Sequence, residues 1–317
     1  MSIVGVIFLL ALGYLCSSNR KAISWRTVGG AFLIQVILAV FVLATPWGVK
    51  ALQWLTMRVS DLIGAGEKGI SFLFGPLSDG GGGVGWIFAF KVLPVIIFFS
   101  SLIAVLYHLR IMQMVILLVG GGLRKVLGTS RAESFSAAAN IFVGQTEAPL
   151  VIRPYLPKMT SSELFAVMVG GLASIAGSVL AGYAGLGARM DHLIAACFMA
   201  APGGLLFAKL IMPETEEVDD SRIELAEGED QPVNVIDAAA LGASSGLKLA
   251  LNVGAMLLAF VGLIALANLF FGEVGGWFGD PQFSLEKLLG WFFAPVAYLL
   301  GVNGSEIQQA GSLIGQK

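Results

Sequence analysis

Charge is what this chain has least of. Only 13% of its 317 residues are Asp, Glu, Lys or Arg, against about 25% in soluble domains. Hydrophobic residues make up 56%, and the mean hydropathy is +0.84. That balance excludes a soluble globular domain and implies an all-α, polytopic membrane protein. Cysteine and histidine are nearly missing, with two of each. Cys16 and Cys197 lie in separate apolar runs, which excludes a disulfide framework and gives no support to a thiolate metal site. The few basic residues are scattered, so no nucleic-acid surface is expected. The glycine-rich turn from Ser78 to Gly85 lacks the Lys-Ser/Thr ending and the preceding strand of a phosphate loop. No Ser/His pair, Asp-rich metal motif or cofactor fingerprint is present, so no enzyme is expected. Glu147 and Glu306 as an intramembrane acid/base pair are the remaining enzymatic reading.

The charge that is present is unevenly placed. Between Glu214 and Asp230 there are nine acidic residues and one Arg, leaving 18 Lys+Arg against 12 Asp+Glu elsewhere. Basic loops mark the cytoplasmic side, while acidic residues carry little topological weight. The first apolar run, 3–16, has its basic residues after it (Arg20, Lys21, Arg26) and no basic segment before it. It therefore reads as a first span with the N-terminus outside, not as a signal peptide. Further spans are read at 28–47, 86–106, 165–183, 193–212 and 235–271. Lys91 and Pro94 interrupt the third, with Lys91 snorkelling to the interface. Pro202-Gly203-Gly204 is expected to kink the fifth. Residues 48–70 carry apolar positions at helical spacing and read equally as an interfacial helix or a partly buried connector. The acidic stretch, 213–234, reads as a flexible linker with no site, and His192 as a solvated loop histidine. Lys248 and Asn252 share a helix face.

The stretch 140–150 does not fit a lipid-facing helix. Gly144-Gln145-Thr146-Glu147 is a polar tetrad in apolar surroundings. A carboxylate at membrane depth costs about 2.5 kcal/mol or more unless protein or water receives it, and non-helical backbone there must be shielded or line a cavity. Basic residues bracket 132–152 on both sides, so both ends read as cytoplasmic, which a re-entrant hairpin requires and a single span forbids. Glu147 then sits at the working tip. Gly301-Val302-Asn303-Gly304-Ser305-Glu306 is a second acidic tip after an apolar leg. Two interrupted apolar segments in corresponding halves point to the binding site of a secondary transporter with inverted repeats. The fourth span is rich in glycine around Gly170, Gly171, Ser174 and Gly177, which suits either close helix packing or local unwinding. By these boundaries, 1–110 would be a scaffold, 111–212 the first hairpin with transport helices, 213–234 a linker, 235–280 a long scaffold helix, and 281–317 the start of a second hairpin.

Gly144-Gln145-Thr146-Glu147-Ala148-Pro149-Leu150 closely resembles the bacterial concentrative nucleoside transporters. So do Ser17 to Ile23, Arg26 to Phe32, Leu127 to Ser134, Gly170 to Gly177 and Ala201 to Lys209, which together run through nearly the whole chain. The resemblance implies sodium-coupled uptake of nucleosides such as uridine across the bacterial inner membrane. It also implies a homotrimer in which two hairpins move against a scaffold by alternating access. By that resemblance Gln145, Thr146 and Glu147 contact the nucleobase, Val179 walls the site, and Glu306 binds ribose hydroxyls. Asn140 and Ser174 would hold sodium by side-chain oxygens, with the carbonyls of Val143 and Ile175 completing an oxygen shell that suits a hard cation. Where the family usually reads Gly-Val-Pro-Trp, this chain has Gly301-Val302-Asn303-Gly304, which loosens the assignment of Glu306. The family motif at Gly315-Gln316-Lys317 is expected to continue into Asn-Glu-Phe-Val-Ala, so the chain reads as C-terminally truncated. The alternatives are a proton-coupled nucleoside symporter and a truncated, non-transporting fragment.

Overall fold

The structure, a computed structural model, describes residues 2–78, 85, 87–145, 148–175, 180, 182–184, 187–219, 232–277, 279–280 and 282–316. Among the described residues the regular structure is entirely helical. In chain order the helices are α1 (Ser2–Leu15), α2 (Trp25–Ala44), α3 (Pro46–Phe74), α4 (Phe88–Lys91), α5 (Leu93–His108), α6 (Ile111–Leu127) and α7 (Arg131–Ala139). There follow α8 (Ala148–Val151), α9 (Ser161–Ala173), α10 (Met190–Ile211), α11 (Val235–Trp277), α12 (Leu285–Leu299) and α13 (Ile307–Gln316). Trp25–Val42, Phe88–His108, Met190–Ile211 and Val235–Trp277 are long and apolar enough to cross a membrane. The chain divides into two compact units, Ser17–Asn252 and Met1–Cys16 with Val253–Lys317.

In the unit Ser17–Asn252 the helix ends cap one another. A helix leaves its first N–H groups and last carbonyls without internal partners. Ser24 caps α2 by accepting from the Thr27 N–H at 3.4 Å. The Thr27 hydroxyl then donates to the Leu127 carbonyl at the end of α6, at 2.9 Å, and Arg26 donates to the Lys125 carbonyl at 3.0 Å. Gly128 closes α6 at φ 71°, a left-handed position that favours glycine. α7 and α9 both begin with capping boxes, Ser130 with Glu133 and Thr160 with Glu163. The N-terminal part of α11 lies on α5 through Gly242 and Gly246. A Cβ on Gly242 would meet the Ser100 carbonyl at 2.7 Å, and one on Gly246 would meet Ile97 Cα at 2.9 Å. This Gly-x-x-x-Gly contact is how helices approach closely in lipid. The sequence reading had missed both it and α6. Interrupted at Val92, α4 and α5 meet the break expected at Lys91 and Pro94, and Lys91 pairs with Glu67 of α3 at 3.3 Å.

Under α7 lies a buried ion network. Lys209, near the end of α10 and 6% exposed, pairs with Glu133 of α7, which is 2% exposed. Its ammonium donates to the Ser162 hydroxyl of α9 at 2.8 Å and to Glu214 at 3.3 Å. Thr160 donates to the same Glu214 carboxylate at 2.9 Å, and Ser162 donates to the Met212 carbonyl at 2.6 Å. Further along, Asp219 pairs with Lys158 at 3.0 Å. The acidic stretch is therefore docked at 214–219, where sequence alone read a free linker, because the apolar span before it delivers a lysine that two carboxylates can share.

The other unit is held differently. In α13, Gly311 and Gly315 lie against α12: a Cβ on Gly311 would meet the Gly290 carbonyl at 2.7 Å, and one on Gly315 would meet Leu289 Cβ at 2.7 Å. Asn268 of α11 uses its whole amide, donating to Glu286 at 2.9 Å and accepting from the Leu285 N–H at 2.8 Å, so it fixes the start of α12. Phe271 packs edge-on against Phe283, which in turn packs at a tilt against Trp291.

Two expectations follow from the buried network. Lys209→Met removes the counter-ion of buried Glu133, and should cost about 3–5 kcal/mol, read as a fall in thermal unfolding temperature in detergent. Adding Glu133→Gln to Lys209→Met should recover at least half of that fall. Glu214 sets a pH dependence. Burial pushes its carboxyl up, but the Thr160 hydroxyl, the Glu216 backbone N–H and Lys209 together outweigh that and hold it below its ordinary value. A depressed carboxylate stabilises fully above its unfolded pKa and loses that contribution as pH falls through the folded one. Stability should drop across the acidic carboxylate range in the natural chain, and a pH series on Glu214→Gln should show a shallower drop.

Candidate substrate and ion site

Two helices stop within the apolar interior of the unit Ser17–Asn252, and their ends meet. α7 ends at Ala139, after an alanine run, where Asn140 takes the C-cap position with φ −61° and ψ −16°. The chain then turns tightly. The N–H groups of Phe142 and Val143 both donate to the Ala139 carbonyl at 2.9 Å, and the Ala148 N–H donates to the Gly144 carbonyl at 2.9 Å. α8 is a single short turn. The sequence reading of 132–152 as a broken segment corresponds to this helix, turn and short helix.

α9 ends at Ala173, ten residues before the end expected for the fourth span. Ser174 leaves the helix at φ −93° and ψ 161°, and its hydroxyl donates back to the Gly171 carbonyl at 3.2 Å. Glycine is a poor helix former and serine competes for backbone hydrogen bonds, which explains the stop. Both readings of the glycines hold. Gly170 packs on α10, where a Cβ on Gly204 would lie 3.2 Å from Gly170 Cα, and four residues later the helix has unwound.

The two breaks are in contact. A Cβ on Gly170 would lie 3.4 Å from the Asn140 amide nitrogen, and one on Gly171 would lie 2.9 Å from Gln145 Cβ. Asn140 is 2% exposed, and its Oδ1 has no hydrogen-bond partner among the described residues. An orphaned buried acceptor costs about 1–3 kcal/mol, so it signals a missing partner. Val143 is fully buried, and Gln145 is exposed. The Ile175 carbonyl accepts from the Cys197 thiol at 3.5 Å. One turn before Asn140, the Ser136 hydroxyl is also buried with no partner among the described residues.

Asn140, Val143, Gln145, Ser174 and Ile175 thus all belong to these two neighbouring breaks. Thr146, Glu147 and Val179 lie outside the described residues. Glu306 is exposed, directly before α13 in the other compact unit, where its N–H donates to the Asn303 carbonyl at 2.9 Å. Among the described residues no cluster of His, Cys, Asp and Glu could hold a metal. The site instead offers amide, hydroxyl and peptide oxygens, a donor set for a hard cation rather than a transition metal. The orphaned Asn140 Oδ1 is compatible with that. Sequence reasoning passed over Gln35, whose side chain donates to the Met199 carbonyl of α10 at 3.1 Å beside Gly203. The signal was a lone amide within an apolar span.

Three family models together cover most of the chain. They are described as Na+ dependent nucleoside transporter N-terminus (residues 4–77), Nucleoside recognition (residues 89–190) and Na+ dependent nucleoside transporter C-terminus (residues 192–317). An uncharacterized transporter of Haemophilus influenzae is 59% identical over 317 residues, covering 100% of this chain and 76% of its own length. The nucleoside permease NupC of Helicobacter pylori is 52% identical, with coverage of 100% and 76%. The solved structure of CNTnw in an inward-facing substrate-bound state is 56% identical and superposes with a TM-score of 0.93, over 100% of this chain and 75% of that one. The fold and the relatives define a multi-pass membrane transporter, not an enzyme. The chain belongs to the Na+-dependent nucleoside transporter family.

Gly171→Ala tests the contact between the breaks. The new methyl would force Gln145 to shift, whereas a methyl on Gly121 meets nothing within 4 Å. Nucleoside uptake by Gly171→Ala should show a several-fold higher half-saturating nucleoside concentration with maximal rate largely kept, and Gly121→Ala should match the natural chain.

Proposed function

We propose that this chain takes up nucleosides, uridine among them, by sodium-coupled symport across the bacterial inner membrane. The observation that carries the reading is the buried Oδ1 of Asn140, without a partner among the described residues, beside the α9 break at Ser174. Sodium, as co-substrate, would be held by Asn140 and Ser174 side-chain oxygens and by the carbonyls of Val143 and Ile175. The ion supplies positive charge that fixes the turn after α7 against the break after α9. The chain's own residues then present the tip. Gln145, Thr146 and Glu147 offer amide, hydroxyl and carboxylate groups that match the mixed donors and acceptors of a base edge. Val179 gives the base an apolar wall. Glu306 accepts from ribose hydroxyls.

The relatives support alternating access for this reading, because CNTnw has been solved in inward-facing and outward-facing states. The mouse relative, 39% identical over 100% of this chain and 48% of its own length, is named sodium/nucleoside cotransporter 1. The protein works as a homotrimer, with its N-terminus periplasmic because Arg20, Lys21 and Arg26 follow the first span.

Uptake of labelled uridine into vesicles containing this chain tests the proposal. Uptake should rise with external sodium replacing choline, and Asn140→Ala should raise the half-saturating sodium concentration at least tenfold or abolish the sodium response. Uptake driven by a pH gradient and indifferent to sodium would replace this reading with proton coupling.

A further inference from the structure

Both breaks rest on one helix. On α10, consecutive residues touch the two interrupted segments. Phe198 packs edge-on against Phe142 in the turn after α7, with ring centroids 6.2 Å apart, and the Cys197 thiol donates to the carbonyl of Ile175 in the break after α9, at 3.5 Å. Cys197 is 2% exposed and unpaired with any other cysteine. Ile175 follows the end of α9 and lies outside the described helices, and the Cys197 thiol is the partner shown for its carbonyl among the described residues. A peptide carbonyl has two lone pairs. One can take the thiol hydrogen while the other remains for a second partner.

We infer that Cys197 is a positioning residue for the cation site. Its thiol fixes the direction of the Ile175 carbonyl and thereby sets sodium affinity, without contacting the ion or the nucleoside. This rests on the sodium reading proposed above. Groups that orient metal ligands tune affinity strongly when they bind tightly. A thiol is a weak donor, and a single neutral hydrogen bond corresponds to about a 3- to 10-fold change in an equilibrium constant.

The test is sodium-dependent uridine uptake by vesicles carrying the natural chain, Asn140→Ala, Cys197→Ala and Cys197→Ser. Cys197→Ala should raise the half-saturating sodium concentration about 3- to 10-fold, with the uridine half-saturation at saturating sodium and the maximal rate unchanged. Cys197→Ser keeps a donor at the same place and should restore most of the sodium affinity. The relative response to lithium should shift in Cys197→Ala and return in Cys197→Ser. A merely structural role would lower the maximal rate or the thermal stability and leave the sodium half-saturation alone, overturning the inference. Equal shifts in the alanine and serine variants would overturn it too, since packing volume and not the donor would then be responsible. If the natural chain is indifferent to sodium, the reading beneath fails. If it responds, Asn140→Ala loses the response and Cys197→Ala does not move, only this inference fails.

Discussion

A helix that stops inside an apolar layer leaves backbone groups that lipid cannot satisfy. Everything around the candidate site answers that constraint. At the end of α7 the Ala139 carbonyl takes two N–H groups from the turn that follows. At the end of α9 a serine hydroxyl returns to the Gly171 carbonyl, and a cysteine thiol from α10 reaches the Ile175 carbonyl. Each break satisfies backbone groups within its own turn, and the two lie in contact with α10 as a shared wall. What is left over among the described residues of these turns is the side-chain oxygen of Asn140 and, one turn earlier, the Ser136 hydroxyl. On the proposed reading, the Asn140 oxygen is the one that receives the arriving ion.

The ion network plays the corresponding part at the other ends of the same helices. α7, α9 and α10 are tied there through Glu133, Ser162 and Lys209, with Glu214 drawn in from the stretch that follows. Apolar association between helices is weak in lipid, where the tails are as apolar as the side chains. A shared buried lysine supplies what hydrophobicity cannot, since separating the helices would strand charges in the interior. The starts of α7 and α9 are thereby anchored to the end of α10, while the far ends of α7 and α9 are free to break.

Much of this arrangement was legible in the residues. The polar tetrad after Asn140 and the basic residues on both sides marked a broken segment, because a carboxylate in an apolar run needs an explanation. The nucleoside resemblance rested on motifs spread along the chain, and the relatives bear it out. The stop at Ala173 was not legible. Glycines make both packing and unwinding cheap, and only the neighbour decides: Gly170 meets Gly204, and Ser174 finds its own turn. The helix α6 was passed over because Gly120, Gly121, Gly122 and two basic residues thin its apolar face. The docking of 214–219 depended on Lys209 being buried, and burial of a terminal lysine is a tertiary fact. The two capping boxes were present in the sequence as Ser130-x-x-Glu133 and Thr160-x-x-Glu163. They would have marked two of the three anchored ends.

The buried face of α10 explains why the site is where it is. Cys197, Ala201, Gly204 and Ala208 recur at helical spacing, and all are small. Small side chains let α9 come within van der Waals reach of the α10 backbone at Gly204, which holds Gly170 beside Asn140. A larger residue anywhere on that stripe would move the α9 break away from the α7 turn and spread the oxygens apart. Separation matters because oxygen ligands bind a hard cation only within a narrow range of distance. If the site holds sodium as proposed, close packing and ion binding are one requirement in this chain. On the proposed reading, an ion that joins Asn140 to the Ser174 break also stiffens the turn leading to Gln145. Sodium would then order the nucleoside-binding tip before the nucleoside reaches it, and coupling would follow from the order of those two events.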